Sequence, residues 1–295
     1  MKDKKNSEYI DKNKKFSQEE ELFDFINMIY KGEVIRNTYD IIPPKELDIF
    51  IPQEKIAIEL NGLYWHSNKW IKKYNHLDKL NNCLEKNIKL IQIFEDEWIF
   101  KKNIVKNNLR RILSKNKYIR LKYKNCKIIE IGNKKKSYFL EKFNIQGTDY
   151  SFVNIGVFYK NKLVAVMTFN YLNKLKHQWK ISRFSIDFNY IIPGIFENIL
   201  GYFKKKYLWE EIIYYVDRRW DFLKSFNDEC FDSCKITNPN FWYISETRMR
   251  YRFSVGIGKD FMNLNESDEI KKKYLKIWDC GSLKFSIKNK EHNSE

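Results

Sequence analysis

Glu46-Leu-Asp-Ile-Phe-Ile-Pro-Gln-Glu-Lys-Ile-Ala-Ile-Glu-Leu-Asn-Gly-Leu-Tyr-Trp-His66 is the stretch that decides how this chain folds. Two apolar-rich runs flank a turn at Pro52–Lys55, which predicts a pair of β-strands. The first carries Asp48. The second, Ile56-Ala-Ile-Glu-Leu, is apolar except for Glu59. A carboxylate inside an apolar strand is costly unless something pairs with it. Two carboxylates at one end of adjacent strands repel unless a cation lies between them. The turn brings Asp48 and Glu59 near each other, which is the local logic of a Mg²⁺ site in a nuclease. The competing reading is an ordinary edge-strand charge, since strand alternation also lets Glu59 face water.

N-terminal to the hairpin, Ser17-Gln-Glu-Glu20 has the form of a capping box. Leu22, Phe23, Phe25, Ile26 and Ile29 then give a helix its buried face, and Lys31-Gly32 ends it. C-terminal to it, Gly62-Leu-Tyr-Trp-His66 leads into helical spacing over Trp70–Lys86, where His76 and Lys79 share a face. Ile88–Phe94 reads as a buried strand. Glu95-Asp-Glu97 reads as acidic residues favourable to a helix N-terminus. A basic helix follows over roughly residues 99–115. The predicted order is helix, strand, strand, helix, strand, helix: a small α/β domain over residues 16–115 after a solvated tail at 1–15.

The whole chain has 295 residues, enough for two domains, and 43% hydrophobic residues, enough for a core. Its net charge of +17 favours a polyanionic partner. No apolar run approaches the roughly 18–20 residues of a membrane span, so nucleic acid is expected and membrane is not. The N-terminus lacks the apolar segment of a signal peptide. Five widely spaced cysteines without a CxxC pair point to free thiols in a reducing cytoplasm.

Residues 17–100 resemble the core of the very-short-patch-repair (Vsr) endonucleases. They resemble more closely the phage homing endonucleases of the EDxHD type, within the PD-(D/E)xK superfamily. The resemblance rests on the helix with Glu20, the hairpin, Gly62–His66, His76 to Lys79, and the strand ending in Glu95-Asp-Glu-Trp98. It implies metal-dependent hydrolysis of DNA phosphodiesters, metal at Asp48, a base or proton relay at His66, and a supporting Glu20. Asn61 stands where that superfamily has a lysine, and Lys79, with His76 beside it, is the expected substitute. Leu63 stands where the repair enzymes have a zinc-binding cysteine, and Asn68 and Trp70 offer no replacement, so no structural zinc is expected.

Residues 116–127 form a basic linker with Lys117, Arg120, Lys122 and Lys124, continuing from Lys115. Residues 128–287 alternate strands with few helices, include a hairpin turn at Lys160-Asn161 and end in one long strand over Lys276–Ile287; a short tail, 288–295, follows. That order resembles the N-acetyltransferase (GNAT) superfamily. Acetyl-CoA is not expected, because Ile191-Ile-Pro-Gly-Ile-Phe supplies one glycine for a pyrophosphate loop. Arg218, Arg219, Arg248 and Arg250, interleaved with aromatics, suit phosphate contact and stacking. The overall expectation is α/β: a Vsr/PD-(D/E)xK-like nuclease core, a mixed sheet flanked by helices, with a C-terminal α+β GNAT-like domain. The expected function is a phage-encoded, homing-type DNA endonuclease using Mg²⁺ at Asp48 and Glu59, with double-stranded DNA as partner and the oligomeric state open, a dimer included. The alternatives are an acetyltransferase whose degenerate nuclease domain serves as a nucleic-acid adaptor, and a non-catalytic DNA-binding protein.

Overall fold

The hairpin closes through Ile51 opposite Ile56 and Ile49 opposite Ile58, with the turn at Pro52–Lys55 where the sequence puts it. The computed structural model describes residues 18–114, 118–220, 226–244, 250–251 and 275–290. It is a mixed α/β chain. Helix α1 (residues 18–29) precedes β1 (Ile35–Ile42), β2 (Lys45–Ile51) and β3 (Ile56–Asn61). Then come α2 (Asn75–Glu85), β4 (Lys89–Phe94), α3 (Glu95–Phe100) and α4 (Lys102–Leu113). The four strands lie in the order β1-β2-β3-β4. β3 and β4 run parallel, from Ile56 opposite Lys89 to Asn61 opposite Phe94, and α2 is part of the crossover such a pair requires. All six residues of β3 are buried, so the polar ones among them must find partners within the protein.

The helix expected over residues 70–86 begins only at Asn75. Tertiary pairing overrides the local pattern there. Ser67 bridges to Ile277, and Asn68 exchanges bonds with Lys276: its N–H donates to the Lys276 carbonyl, and its side-chain oxygen accepts the Lys276 N–H. Tyr64, Trp65 and Trp70 pack edge-on or tilted at 5.1–5.9 Å, which holds the 62–70 segment together.

Two units share the chain. The first takes Met1–Lys115 and Pro239–Cys280, the second Asn116–Asn238 and Gly281–Glu295. The second unit holds β5 (Ile119–Arg120), β6 (Lys127–Glu130), α5 (Asn133–Phe143), β7 (Val153–Tyr159), β8 (Lys162–Asn173) and β9 (Gln178–Ile186). It continues with β10 (Tyr190–Ile191), α6 (Ile195–Lys206), β11 (Glu211–Asp217) and β12 (Ser233–Ile236). The chain then returns to the first unit as β13 (Phe241–Ile244), β14 (Arg250–Tyr251) and β15 (Leu275–Trp278), a three-stranded sheet. It ends in the second unit as β16 (Ser282–Lys288). The large sheet runs β12-β16-β11-β9-β8-β7-β6. Lys160 and Asn161, both at positive φ, make the tight turn between β7 and β8. Phe169 stacks on Phe203 at 3.9 Å, with Trp179 edge-on, under α6. Each such buried aromatic contributes about 1.5–3 kcal/mol by removal from water.

Three expectations change here. Residues 116–127 are not a linker throughout: β5 pairs with β10, Leu121 is buried in the second core, and Tyr123–Asn125 is a 3₁₀ turn. Residues 128–287 are not one domain, since 239–280 belong with the first unit. The single strand over 276–287 is two strands, β15 and β16. The break falls at Gly281, whose φ of +77° and approach to the Thr237 carbonyl leave no room for a Cβ. Periodicity cannot reveal that a strand changes partners at its midpoint. The capping-box Ser17, the 1–15 tail and the helix expected near 270–274 lie outside the described residues. No helix among the described residues is long and apolar enough to cross a membrane.

Candidate active site

At the end of the β2–β3 ladder the side chains replace the backbone. Beyond Ile49 and Ile58 the register sets Asp48 opposite Glu59. The Asp48 N–H donates to Glu59 Oε1 at 3.1 Å, and the Leu60 N–H donates to Asp48 Oδ2 at 2.8 Å. Each carboxylate therefore holds the other's strand, and the two groups are fixed side by side. Glu59 is 2% exposed, and its other oxygen pairs with Lys79 Nζ from α2. Burial, and then the neighbouring Asp48, push the Glu59 carboxyl up to about 8 against the opposing pull of Lys79. Burial and the adjoining carboxylate thus outweigh the Lys79 ammonium at Glu59. Paired carboxylates of this kind could hold a hard divalent cation, with Asp48 and Glu59 as the candidate protein ligands. Among the described residues no group of three or more His, Cys, Asp or Glu side chains could hold a metal ion, so water and substrate oxygens would complete the shell.

One helical turn before Lys79, His76 sits on the same face of α2. Its backbone carbonyl accepts Gln92 Nε2 at 3.0 Å, and Gln92 lies directly across β3–β4 from Glu59. Gln92 also accepts Asn61 Nδ2 at 3.3 Å. His76 Nε2 lies 2.9 Å from His66 Nδ1, and His76 Nδ1 lies 2.6 Å from the Trp278 carbonyl oxygen of the returning segment. The two imidazole planes differ by 11°. Phe94 packs edge-on against His76 at 5.5 Å. His76 is buried, whereas His66 is half-buried.

The structure therefore brings Asp48, Glu59 and Lys79 into contact, and links His66 to His76. Glu20 is placed elsewhere in its contacts: its exposed carboxylate pairs with Arg36 at 3.2 Å, so it is a strand-to-helix ion pair. The arginines expected on DNA are corrected. Arg219 is 2% exposed and its guanidinium is held by Asp217, with Nη2 at 2.6 Å from Oδ2. Arg218 is buried at 7%. Arg250 bonds Asp96 at 2.8 Å and Glu97 at 2.6 Å and lies 4.0 Å over the Phe94 ring, fastening β14 to α3. Its charge serves the fold, and two of the three acids in Glu95-Asp-Glu97 answer it; Glu95 instead accepts the Leu63 N–H at 3.0 Å. Arg120, Lys122 and Lys124 remain on the surface. Lys115, Lys117 and Arg248 lie outside the described residues. Sequence reasoning missed Gln92, although it is the one polar residue in the apolar run 90–94. It also missed the Trp278 carbonyl, for which no local signal exists.

Comparison with known proteins corrects the family resemblance. No family model matches the chain, and no curated protein matches it. Among solved structures the chain is similar to a GNAT family acetyltransferase from Elizabethkingia anophelis with acetyl-CoA bound. The identity is 9% and the TM-score 0.32, over 56% of this chain and 99% of that chain. No family model and no curated protein supports a Vsr-like nuclease, so the membership implied for residues 17–100 is withdrawn, together with the nuclease-core fold assignment built on it. At this score the likeness carries no assignment of its own, and what the first unit does rests on its side chains.

Proposed function

We propose that the first unit is a metal-dependent DNA endonuclease that hydrolyses phosphodiester bonds. The observation that carries the proposal is the fixed pair Asp48 and Glu59, hydrogen-bonded across the two strands, with Glu59 buried and paired to Lys79. Asp48 and Glu59 would hold Mg²⁺, which when bound supplies positive charge to the scissile phosphate and to the attacking water. His66 would take the proton of the attacking water as its oxygen bonds to phosphorus and the bond to the leaving sugar oxygen breaks, the departing oxygen taking its proton from solvent. Lys79 holds Glu59 in place and adds positive charge beside the phosphate. The net charge of +17 and the exposed Arg120, Lys122 and Lys124 favour sequence-independent attraction to the DNA backbone. The test is cleavage of supercoiled plasmid in Mg²⁺ and in EDTA. Nicked or linear product only with Mg²⁺ is expected, and intact plasmid under both conditions would sink the proposal.

A second reading places acyl transfer in the second unit. Its support is that β9 and β11 pair in parallel only over Gln178–Ile181 and Glu211–Tyr214. Just beyond, the β8–β9 register slips around Ser182, whose hydroxyl is buried without a partner. A parallel pair that ends early opens a slot at its carboxyl ends, where an acyl carrier could enter. Saturable binding of acetyl-CoA in calorimetry is the result this reading requires.

A further inference from the structure

A carbonyl oxygen only accepts, so the 2.6 Å contact to Trp278 places a proton on His76 Nδ1. Burial of His76 favours its neutral form, which leaves Nε2 as an acceptor. The 2.9 Å contact between His76 Nε2 and His66 Nδ1 then requires the proton on His66 Nδ1. A neutral His66 so arranged has its basic lone pair on Nε2. With His76 neutral, the order runs from one end: the backbone of β15 sets His76, and His76 sets His66.

We infer that His76 is a positioning residue that locks His66 in the Nδ1–H tautomer, and that the returning segment at Trp278 completes the active site. The inference rests on the nuclease reading for the role of His66, but not for its tautomer. An unconstrained neutral imidazole prefers the opposite, Nε2–H form, in which the outer nitrogen has no lone pair to receive a proton. Trp278 lies 202 residues from His76 in the chain, yet both belong to the first unit. Ser67, beside His66, bridges to Ile277, beside Trp278, so the same strand supports both histidines. Their relative geometry is thereby tied to a single element. Loss of a group that orients a catalytic histidine without touching substrate typically costs about 10–100-fold in activity.

The chain has four histidines, so ¹⁵N-histidine NMR of the full chain is tractable, with His66→Ala used to assign His66. Wild type is expected to show His66 protonated at Nδ1. His76→Ala is expected to shift His66 toward the Nε2–H form and to lower kcat for plasmid cleavage about 10–100-fold with KM little changed. His76→Gln, whose side-chain oxygen can accept from Nδ1–H, is expected to restore both tautomer and rate in part. Thermal melts of both variants separate this from loss of fold, and if His76→Ala unfolds, His76→Gln and the wild-type spectrum still decide. A wild-type His66 protonated at Nε2 overturns the inference. So does a His76→Ala variant that cleaves at the wild-type rate. The predicted tautomer in a protein that never cleaves DNA overturns the catalytic part and the nuclease reading together, while leaving the hydrogen-bond order established.

Discussion

Asp48→Asn is expected to lower Mg²⁺-dependent plasmid cleavage by about 10³-fold or more while leaving DNA affinity within about twofold of wild type. The size follows from removing one of two carboxylates that would hold the cation, since metal stabilisation of the transition-state charge is worth several kcal/mol and each 1.4 kcal/mol is about tenfold. Asparagine is the informative substitution. Asp48 Oδ2 accepts the Leu60 N–H at 2.8 Å, and an amide oxygen can still do so. Alanine removes that acceptor and leaves a backbone donor without its partner, which costs about 1–3 kcal/mol of stability and confuses folding with function. The melting temperature of Asp48→Asn should therefore stay near wild type in EDTA, and the gain that Mg²⁺ gives to wild type should vanish in the variant. Cleavage by Asp48→Asn at the wild-type rate would place the reaction elsewhere in the molecule.

How much of this was legible in the sequence depends on the range of the interaction. The hairpin, its turn and the proximity of Asp48 to Glu59 follow from strand alternation and a short loop, and they came through intact. Lys79 was also readable, because a helix following the hairpin can present an ammonium to the strand beside it. The second half of the site was not. Trp278 touches His76 across 202 residues, and it does so because one apparently continuous strand divides at Gly281 between two units. The arginines show the same limit. Arg219 and Arg250 have the composition of a phosphate-binding surface, but each is next to carboxylates that only the fold reveals: Asp217 for the first, Asp96 and Glu97 for the second. A buried guanidinium already paired with neighbouring acids has little left to offer DNA. The family resemblance failed for a related reason. Short motifs around apolar strands are local, and no family model or curated protein extends them to the rest of the chain.

Lys79→Met is expected to destabilise the protein by about 1–3 kcal/mol in EDTA near pH 8, because the buried Glu59 oxygen loses its hydrogen-bonding cation and the carboxyl is held protonated. Near pH 5 the loss should be smaller. The Glu59 carboxyl is raised from an ordinary 4.5 to about 8 even with Lys79 present, chiefly by burial and next by Asp48. Between those values the folded state holds a proton that the unfolded chain releases, so fewer protons are bound on unfolding and stability falls as pH rises. The contribution is fully present below about 4.5 and is lost as pH climbs through about 8. Removing Lys79 pushes the folded value further up, which steepens the decline at the alkaline end. Glu59→Gln abolishes the titration, so the double variant Glu59→Gln/Lys79→Met should recover most of the lost stability and show a flatter pH profile than either wild type or Lys79→Met. Mg²⁺ acts on the same balance with opposite sign, since a cation beside Glu59 favours the carboxylate. It should raise the urea midpoint of wild type more near pH 8 than near pH 5, and leave the double variant unchanged. Equal Mg²⁺ effects on wild type and the double variant would mean that the ion binds without Glu59, and the metal assignment at this hairpin would then be wrong.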